Sequence, residues 1–436
     1  MIANEWKENY QKKLISADEA VKFIRSGDRV VYGHAAAQPI VLHDALIRRA
    51  DELREVEIVH GFALGKADYC DPKYVKSFVH HSVFNNAGTR QAHWEGRAEF
   101  TAMPMSELDK WFPLRAPVDV LLTQVTPPDE NGYVSMGVST DYCREIVDHA
   151  KIVIAQVNNN MPWTNGEAVI PVTAIDYYVE HDDPIPEIPE PVSISDVDSA
   201  IARNIATLIN DGDTIQAGVG AVPDTVLSLL SNHKNLGIHT ELGSTGIMKL
   251  MKKGVITNIK KTLDAGKCIC TLMGGTRDFY DFIDHNPDFE MRRCGYVNNP
   301  LVIAQQKNIV AMNSALQIDL FGQVCADMIG PKQYSGVGGQ LDFLRGAAMA
   351  EGGRSIICMP STAAKGTLSR IVPRLDIGSA VTDSRYDVNY IVTEYGIADL
   401  WGKTNNQRAK DLINIAHPNF QEALEKAYYE TINKIV

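Results

Sequence analysis

A tract near the start of the chain returns in the second half. Phe23–Leu46 reads FIRSGDRVVYGHAAAQPIVLHDAL, and Leu208–Leu230 reads LINDGDTIQAGVGAVPDTVLSLL. Gly27, Asp28 and Gly33 fall on Gly212, Asp213 and Gly218 at one offset of 185 residues, and Pro39 meets Pro223 after a one-residue slip. A second echo pairs Asp129–Gly132 (DENG) with Asp319–Gly322 (DLFG). Stacked small repeats recur every ~20–50 residues, so a period this long marks a duplicated domain.

Each copy reads as helix, tight turn, strand, glycine loop, helix. Ser16-Ala-Asp-Glu19 is a capping box opening a helix through Ile24. A Gly-Asp turn leads into the strand Arg29–Tyr32. In the second copy Asp196–Ile209 is the helix and Thr214–Ala217 the strand, with Pro223 as the first residue of the next helix. Further strands are expected at Val56–His60, Val118–Val125, Lys151–Val157, Leu236–Thr240, Cys268–Met273, Ile309–Asn313 and Ser355–Met359. Strands alternating with helices imply mainly parallel sheets. The fold class is therefore α/β, as two similar domains with mainly parallel sheets and an active site between them. The boundaries are residues 1–183, a Pro-rich linker over 184–192 with four prolines, and residues 193–436.

Composition narrows the function. The chain has 436 residues, 45% apolar and 22% charged, which suits packed cores rather than disorder. A net charge of −12 argues against nucleic acid or a membrane surface as partner. No apolar run reaches the ~18 residues of a membrane span, and Met1–Lys13 lacks the apolar core of a signal peptide. Seven cysteines are scattered without CxxC or zinc spacing, so they read as buried thiols of a cytoplasmic protein with no metal site.

Several segments have the residue types of an active site. Gly218-Val219-Gly220-Ala221-Val222 follows a strand and opens a helix, where backbone N–H groups favour an anion. A dinucleotide GxGxxG would need glycine where Pro223 stands, so a nicotinamide cofactor is not expected. Ser335–Phe343 (SGVGGQLDF) places three glycines in four residues, which can aim consecutive N–H groups at one oxygen or can simply form a turn. Gly237–Gly243 (GIHTELG) runs a strand into Glu241, and Val392-Thr-Glu394 runs another into a second carboxylate. Strand carboxyl ends are where α/β sheets present chemistry, although a lone glutamate is more often a solvated charge. His239 reads as a residue that packs or hydrogen-bonds structurally rather than one that catalyses. Pro360–Arg370 (PSTAAKGTLSR) offers hydroxyls, Lys365 and Arg370 to a phosphate.

Taken together these segments resemble the acetyl-CoA hydrolase/transferase family of coenzyme A transferases. The similarity runs through SADEAVKFIRSGDRV (16–30), GIHTE (237–241), SGVGGQLDF (335–343), VTEYGIADL (392–400) and INIAHPNF (413–420). The resemblance implies movement of CoA between a short-chain acyl-CoA, such as 4-hydroxybutyryl-CoA or butyryl-CoA, and a carboxylate such as acetate. It implies Glu241 as nucleophile, forming an acyl anhydride and then a glutamyl-CoA thioester. Gly338 and Gly339 match the loop that stabilises oxyanions, and Glu394 the companion carboxylate. Gly218, Val219, Gly220, Ala221 and Val222 match a CoA-contacting loop, Lys365 the lysine that reaches CoA, and Asn298 the holder of the substrate carboxylate. Coenzyme A is then a substrate, no cofactor is permanently bound, and a homodimer is implied. An acyl-CoA hydrolase is the nearest rival reading. A binding module without chemistry and a sugar-phosphate isomerase stand further off.

Overall fold

The computed structural model describes residues 2–190, 193–218 and 220–433. The chain divides into two compact units. One comprises Met1–Glu190 with Leu242–Thr245 and Ile269–Val297, and the other Pro191–Glu241, Gly246–Cys268 and Asn298–Val436.

The first unit is built on a seven-stranded, wholly parallel sheet. From edge to edge its strands are Ala98–Phe100, Phe78–Ser82, Val56–Val59, Arg29–Tyr32, Val120–Val125, Ile152–Val157 and Tyr177–Glu180. The second unit carries six strands in the order Gly237–Ile238, Thr214–Ala217, Ile309–Ser314, Arg354–Cys358, Tyr390–Thr393 and Gly396–Asp399. All pair in parallel except the last two, which form a hairpin. In both sheets the chain winds outward from a central strand and then returns to that strand's other side. The switch points lie beside Arg29–Tyr32 and Thr214–Ala217, and α/β sheets bind ligands at such points.

The duplication is visible hydrogen bond by hydrogen bond. Gly27 and Gly212 both sit at φ +83°, a left-handed conformation that disfavours any side chain. Their N–H groups donate to Arg54 and Lys234 carbonyls. Asp28 accepts from the Arg25 N–H (2.8 Å) just as Asp213 accepts from Asn210 (2.7 Å). At the strand ends Gly33 donates to the Leu122 carbonyl and Gly218 to that of Met312. Asp129 and Asp319 each close a turn by accepting from residues two and four positions on.

Differences from expectation are local. The Ser16–Glu19 capping box is present, but the helix it opens is short, Ala17–Ala20 followed by a 3-10 turn over Val21–Phe23. The expected helix Asp196–Ile209 ends at Ala206. The helix after Gly220 begins at Ala221, so Pro223 is its third residue and not its first. First-turn N–H groups have no partner within the helix, so proline is tolerated there. Residues 268–273 form two short strands, Cys268–Cys270 and Leu272–Met273. Phe78–Ser82, Ala98–Phe100 and Tyr177–Glu180 are strands that patterning did not pick out. Pro191 and Val192 of the Pro-rich stretch lie outside the described residues. The rest of that stretch is tied to its own unit: Ile188 N–H donates to Gly275 (3.0 Å) and the Tyr280 hydroxyl to Pro186 (2.7 Å). All seven cysteines are buried. No helix among the described residues is long and apolar enough to cross a membrane.

The first unit also buries a group of histidines. His60 Nδ1 lies 2.9 Å from the Tyr69 hydroxyl, His80 Nδ1 lies 3.2 Å from the Ile58 carbonyl, and His43 Nε2 lies 3.0 Å from Asp68. Burial lowers the pKa of all three, that of His80 to about 4 and that of His60 well below its ordinary value. The fold therefore holds them neutral, whereas the unfolded chain protonates them near pH ~6.5. Their contribution is complete above pH ~6.5 and is lost as pH falls toward 4. His80 alone accounts for on the order of 3 kcal/mol across that window. The urea midpoint should drop steeply between pH 7 and 5, and His80→Leu should flatten that drop. Equal slopes in both proteins would exclude His80 as a cause.

Candidate active site

Glu241 lies three residues beyond the edge strand Gly237–Ile238, in a bend, and is half-buried. It is thus past the strand end rather than on it. The Thr240 hydroxyl donates to the Ala217 carbonyl (3.3 Å) and ties this segment to the strand that leads into Gly218. His239 is buried with its ring set edge-on to Phe343 at 6.1 Å, the packing role expected of it.

Three residues singled out from the sequence meet here. Asn298 Nδ2 donates to Glu241 Oε2 at 2.6 Å. A Cβ added at Gly339 would lie 2.1 Å from both Asn298 Nδ2 and Glu241 Oε2, a distance no atom can occupy. Two helices create this approach. Asn299 caps Pro300–Ile303 by accepting from the Leu301 N–H, and Gly339 caps Gln340–Met349. They touch at Gly346, where a Cβ would lie 2.5 Å from Ile303 Cβ. Asn298 is fully buried, and its Oδ1 has no hydrogen-bond partner among the described residues. Gly338 takes φ +54°, which turns the loop into the helix start.

The remaining candidates are placed by contacts of their own. Glu394 occupies the turn of the hairpin Tyr390–Thr393 and Gly396–Asp399, where both its oxygens are engaged by Ser361. The Ser361 N–H donates at 2.8 Å and its hydroxyl at 2.6 Å. Sequence reading offered Ser361 to a phosphate, but its hydroxyl faces the carboxylate instead. Arg370 likewise turns inward and donates to the carbonyls of Thr362 and Ala315. Lys365 is exposed at the tip of the hairpin Thr362–Ala363 and Leu368–Ser369, at φ +58°. Gly218 is half-buried, Val222 is buried, and Gly220 takes φ +135° as the cap of the following helix. Val219 lies outside the described residues. Sequence reading missed two supports of the site. The Gln340 side chain donates to Asp383, and Asp327 accepts from Gln333, on either side of the glycine loop. Neither contact leaves a signal in the local sequence pattern.

Comparisons with known proteins span nearly the whole chain. Residues 2–189 match the acetyl-CoA hydrolase/transferase N-terminal domain and residues 275–428 its C-terminal domain. Glu241 and Gly218–Val222 fall between the two matches. Relatives bridge that gap. A 4-hydroxybutyrate coenzyme A transferase of Clostridium kluyveri is 50% identical over 96% of this chain and 98% of its own. A butyryl-CoA:acetate CoA-transferase of Anaerostipes caccae is 37% identical over 97% of both. The crystal structure of a 4-hydroxybutyrate CoA-transferase from Porphyromonas gingivalis superposes with a TM-score of 0.84 at 39% identity, covering 99% of this chain and 100% of that one. The chain belongs to the acetyl-CoA hydrolase/transferase family.

Proposed function

We propose that the protein is a CoA-transferase that exchanges CoA between a short-chain acyl-CoA, of the 4-hydroxybutyryl or butyryl type, and a carboxylate such as acetate. The observation that carries the reading is the contact of Glu241 with Asn298 and Gly339. A carboxylate held by one amide N–H, beside a glycine at a helix start, has the makings of a nucleophile with oxyanion donors at hand. The names of the full-length relatives supply the substrate class.

The Glu241 carboxylate attacks the thioester carbonyl, and CoA leaves as thiolate. The acyl group is then an anhydride on Glu241. The thiolate returns to the Glu241 carbonyl, releases the acyl group as a carboxylate, and leaves a glutamyl-CoA thioester. An acceptor carboxylate reverses both steps. The N–H groups of Gly338 and Gly339 stabilise the tetrahedral oxyanions. The second N–H of Asn298 Nδ2 is the part of that side chain able to hold a substrate carboxylate, because Oδ1 would repel one. Glu394 serves as the companion carboxylate. Lys365 and the loop Gly218–Val222 contact CoA, which is substrate and not resident cofactor. The working protein is a cytoplasmic homodimer, and each chain runs from an N-terminal domain over 1–183 through 184–192 to a C-terminal domain over 193–436, from which Leu242–Thr245 and Ile269–Val297 fold into the first unit.

Borohydride tests the covalent step. Enzyme preincubated with acyl-CoA should lose activity on reduction, with the Glu241 side chain reduced to an alcohol in the peptide that carries it, and enzyme without acyl-CoA should be spared. Inactivation independent of acyl-CoA would remove the thioester from the mechanism.

Two neighbouring glycines should behave differently. Gly339 has φ −90°, ordinary for alanine, so Gly339→Ala should keep the fold while its methyl displaces Glu241. A displacement of ~1 Å costs ~100-fold in turnover. Gly338 is left-handed, so Gly338→Ala should lower stability by about 1 kcal/mol. Thermal melts beside turnover numbers separate the two, and normal turnover in Gly339→Ala would count against Glu241.

Hydrolysis is the second reading, since the family's name covers both activities. A bound carboxylate gains from orientation that water does not. CoA release in water alone should therefore be slower than acetate-dependent exchange by orders of magnitude. Equal rates would make the protein a hydrolase.

A further inference from the structure

The glycine loop needs close placement, because Gly339 leaves no room between itself and Glu241. Two buried carboxylates grip the loop at its ends. At the entrance, the Asp327 side chain accepts from Gln333 Nε2 (2.8 Å), and its carbonyl accepts from the N–H groups of Tyr334 (2.7 Å) and Ser335 (3.0 Å). At the exit, Gln340 Nε2 donates to Asp383 Oδ2 at 2.6 Å. Gln340 is the first residue of the helix that Gly339 caps. The Thr382 hydroxyl donates to Asp327, so the two grips are joined through neighbouring residues. Asp383 is anchored in turn, since its backbone exchanges hydrogen bonds with Val324 at 3.2 Å in both directions.

We propose that Asp383 is a positioning residue for the reaction at Glu241, setting the glycine loop through Gln340 and doing so best when ionised. The inference rests on the proposed role of Glu241. Asp383 is fully buried, and its second oxygen, Oδ1, has no hydrogen-bond partner among the described residues. Burial raises its pKa to about 7. The Gln340 hydrogen bond opposes that rise, Asp327 and Asp387 add to it, and Arg345 reduces it. Arg345 lies on the helix begun by Gln340 and is itself paired with Asp387 at 3.2 Å. The grip on Gln340 is therefore a charge-assisted hydrogen bond above neutral pH and an ordinary one below it.

The test follows acyl-CoA:acetate exchange from pH 6 to 9 in the wild type, Asp383→Asn and Asp383→Ala, with borohydride trapping alongside. Wild-type kcat should fall as pH drops through about 7. Asp383→Asn is nearly isosteric and keeps an acceptor for Gln340. It should lack that limb and run at the wild type's low-pH level, about tenfold below the plateau, the size a hydrogen bond to a charged group commands. Asp383→Ala should lose more kcat, with the KM for acyl-CoA unchanged. Both variants should still form the borohydride-sensitive adduct, more slowly. A wild-type pH profile in folded Asp383→Asn would overturn the proposal, as would parallel changes in kcat and KM. Absence of the adduct in the wild type would instead overturn the role of Glu241.

Discussion

The site turns on one steric fact: between Gly339, Glu241 and Asn298 there is no space for a carbon atom. That contact requires glycine at 339, an amide at 298 that donates to the carboxylate, and two helices close enough to bring them together. The helices manage it because Gly346 lets the Ile303 side chain rest against the backbone. A larger residue at either glycine would force the glutamate and its donors apart. Much of the second unit is a frame for this approach.

The frame comes from a duplicated α/β winding. Both sheets reverse direction beside their first strand, and both place a glycine directly after it, Gly33 and Gly218, donating to the next strand over. Parallel strands expose their carboxyl ends together, so the loops leaving one switch point converge. The Thr240 hydroxyl on the Ala217 carbonyl joins the glutamate's segment to that convergence. The two copies have kept the turn-forming Gly-Asp pair and the aspartate-closed turn, because backbone geometry there tolerates few substitutions. They diverge once the strand has ended. The first copy continues with His34, which approaches the buried Asp141 at 3.2 Å, and the second with Gly220 at the helix start.

Much of the architecture was legible in the residues. Strands Arg29–Tyr32 and Thr214–Ala217 have the bounds that the pattern predicts, since each lies between a Gly-Asp turn and a glycine. Phe78–Ser82 escaped because two histidines interrupt its apolar run, although one of them, His80, is buried. At the site, Glu241, Asn298 and Gly339 were named by resemblance to a family, and the structure brings those three into contact. Ser361 shows the opposite case. A serine in a loop with lysine and arginine suits a phosphate, yet both hydrogen bonds go to Glu394, 33 positions away in sequence.

Composition and pattern by themselves determined the α/β class, the duplication, the turns that only glycine fits, and the segments whose residue types suit an active site. These depend on backbone conformation and on the burial of short apolar runs, which a few adjacent residues specify. Tertiary structure alone decided which carboxylate meets which donor. It set Asn298 on Glu241, Ser361 on Glu394 and Gln340 on Asp383, pairing residues 33 to 57 positions apart. A hydrogen bond depends on distances of a few tenths of an ångström, and sequence separation carries no record of those.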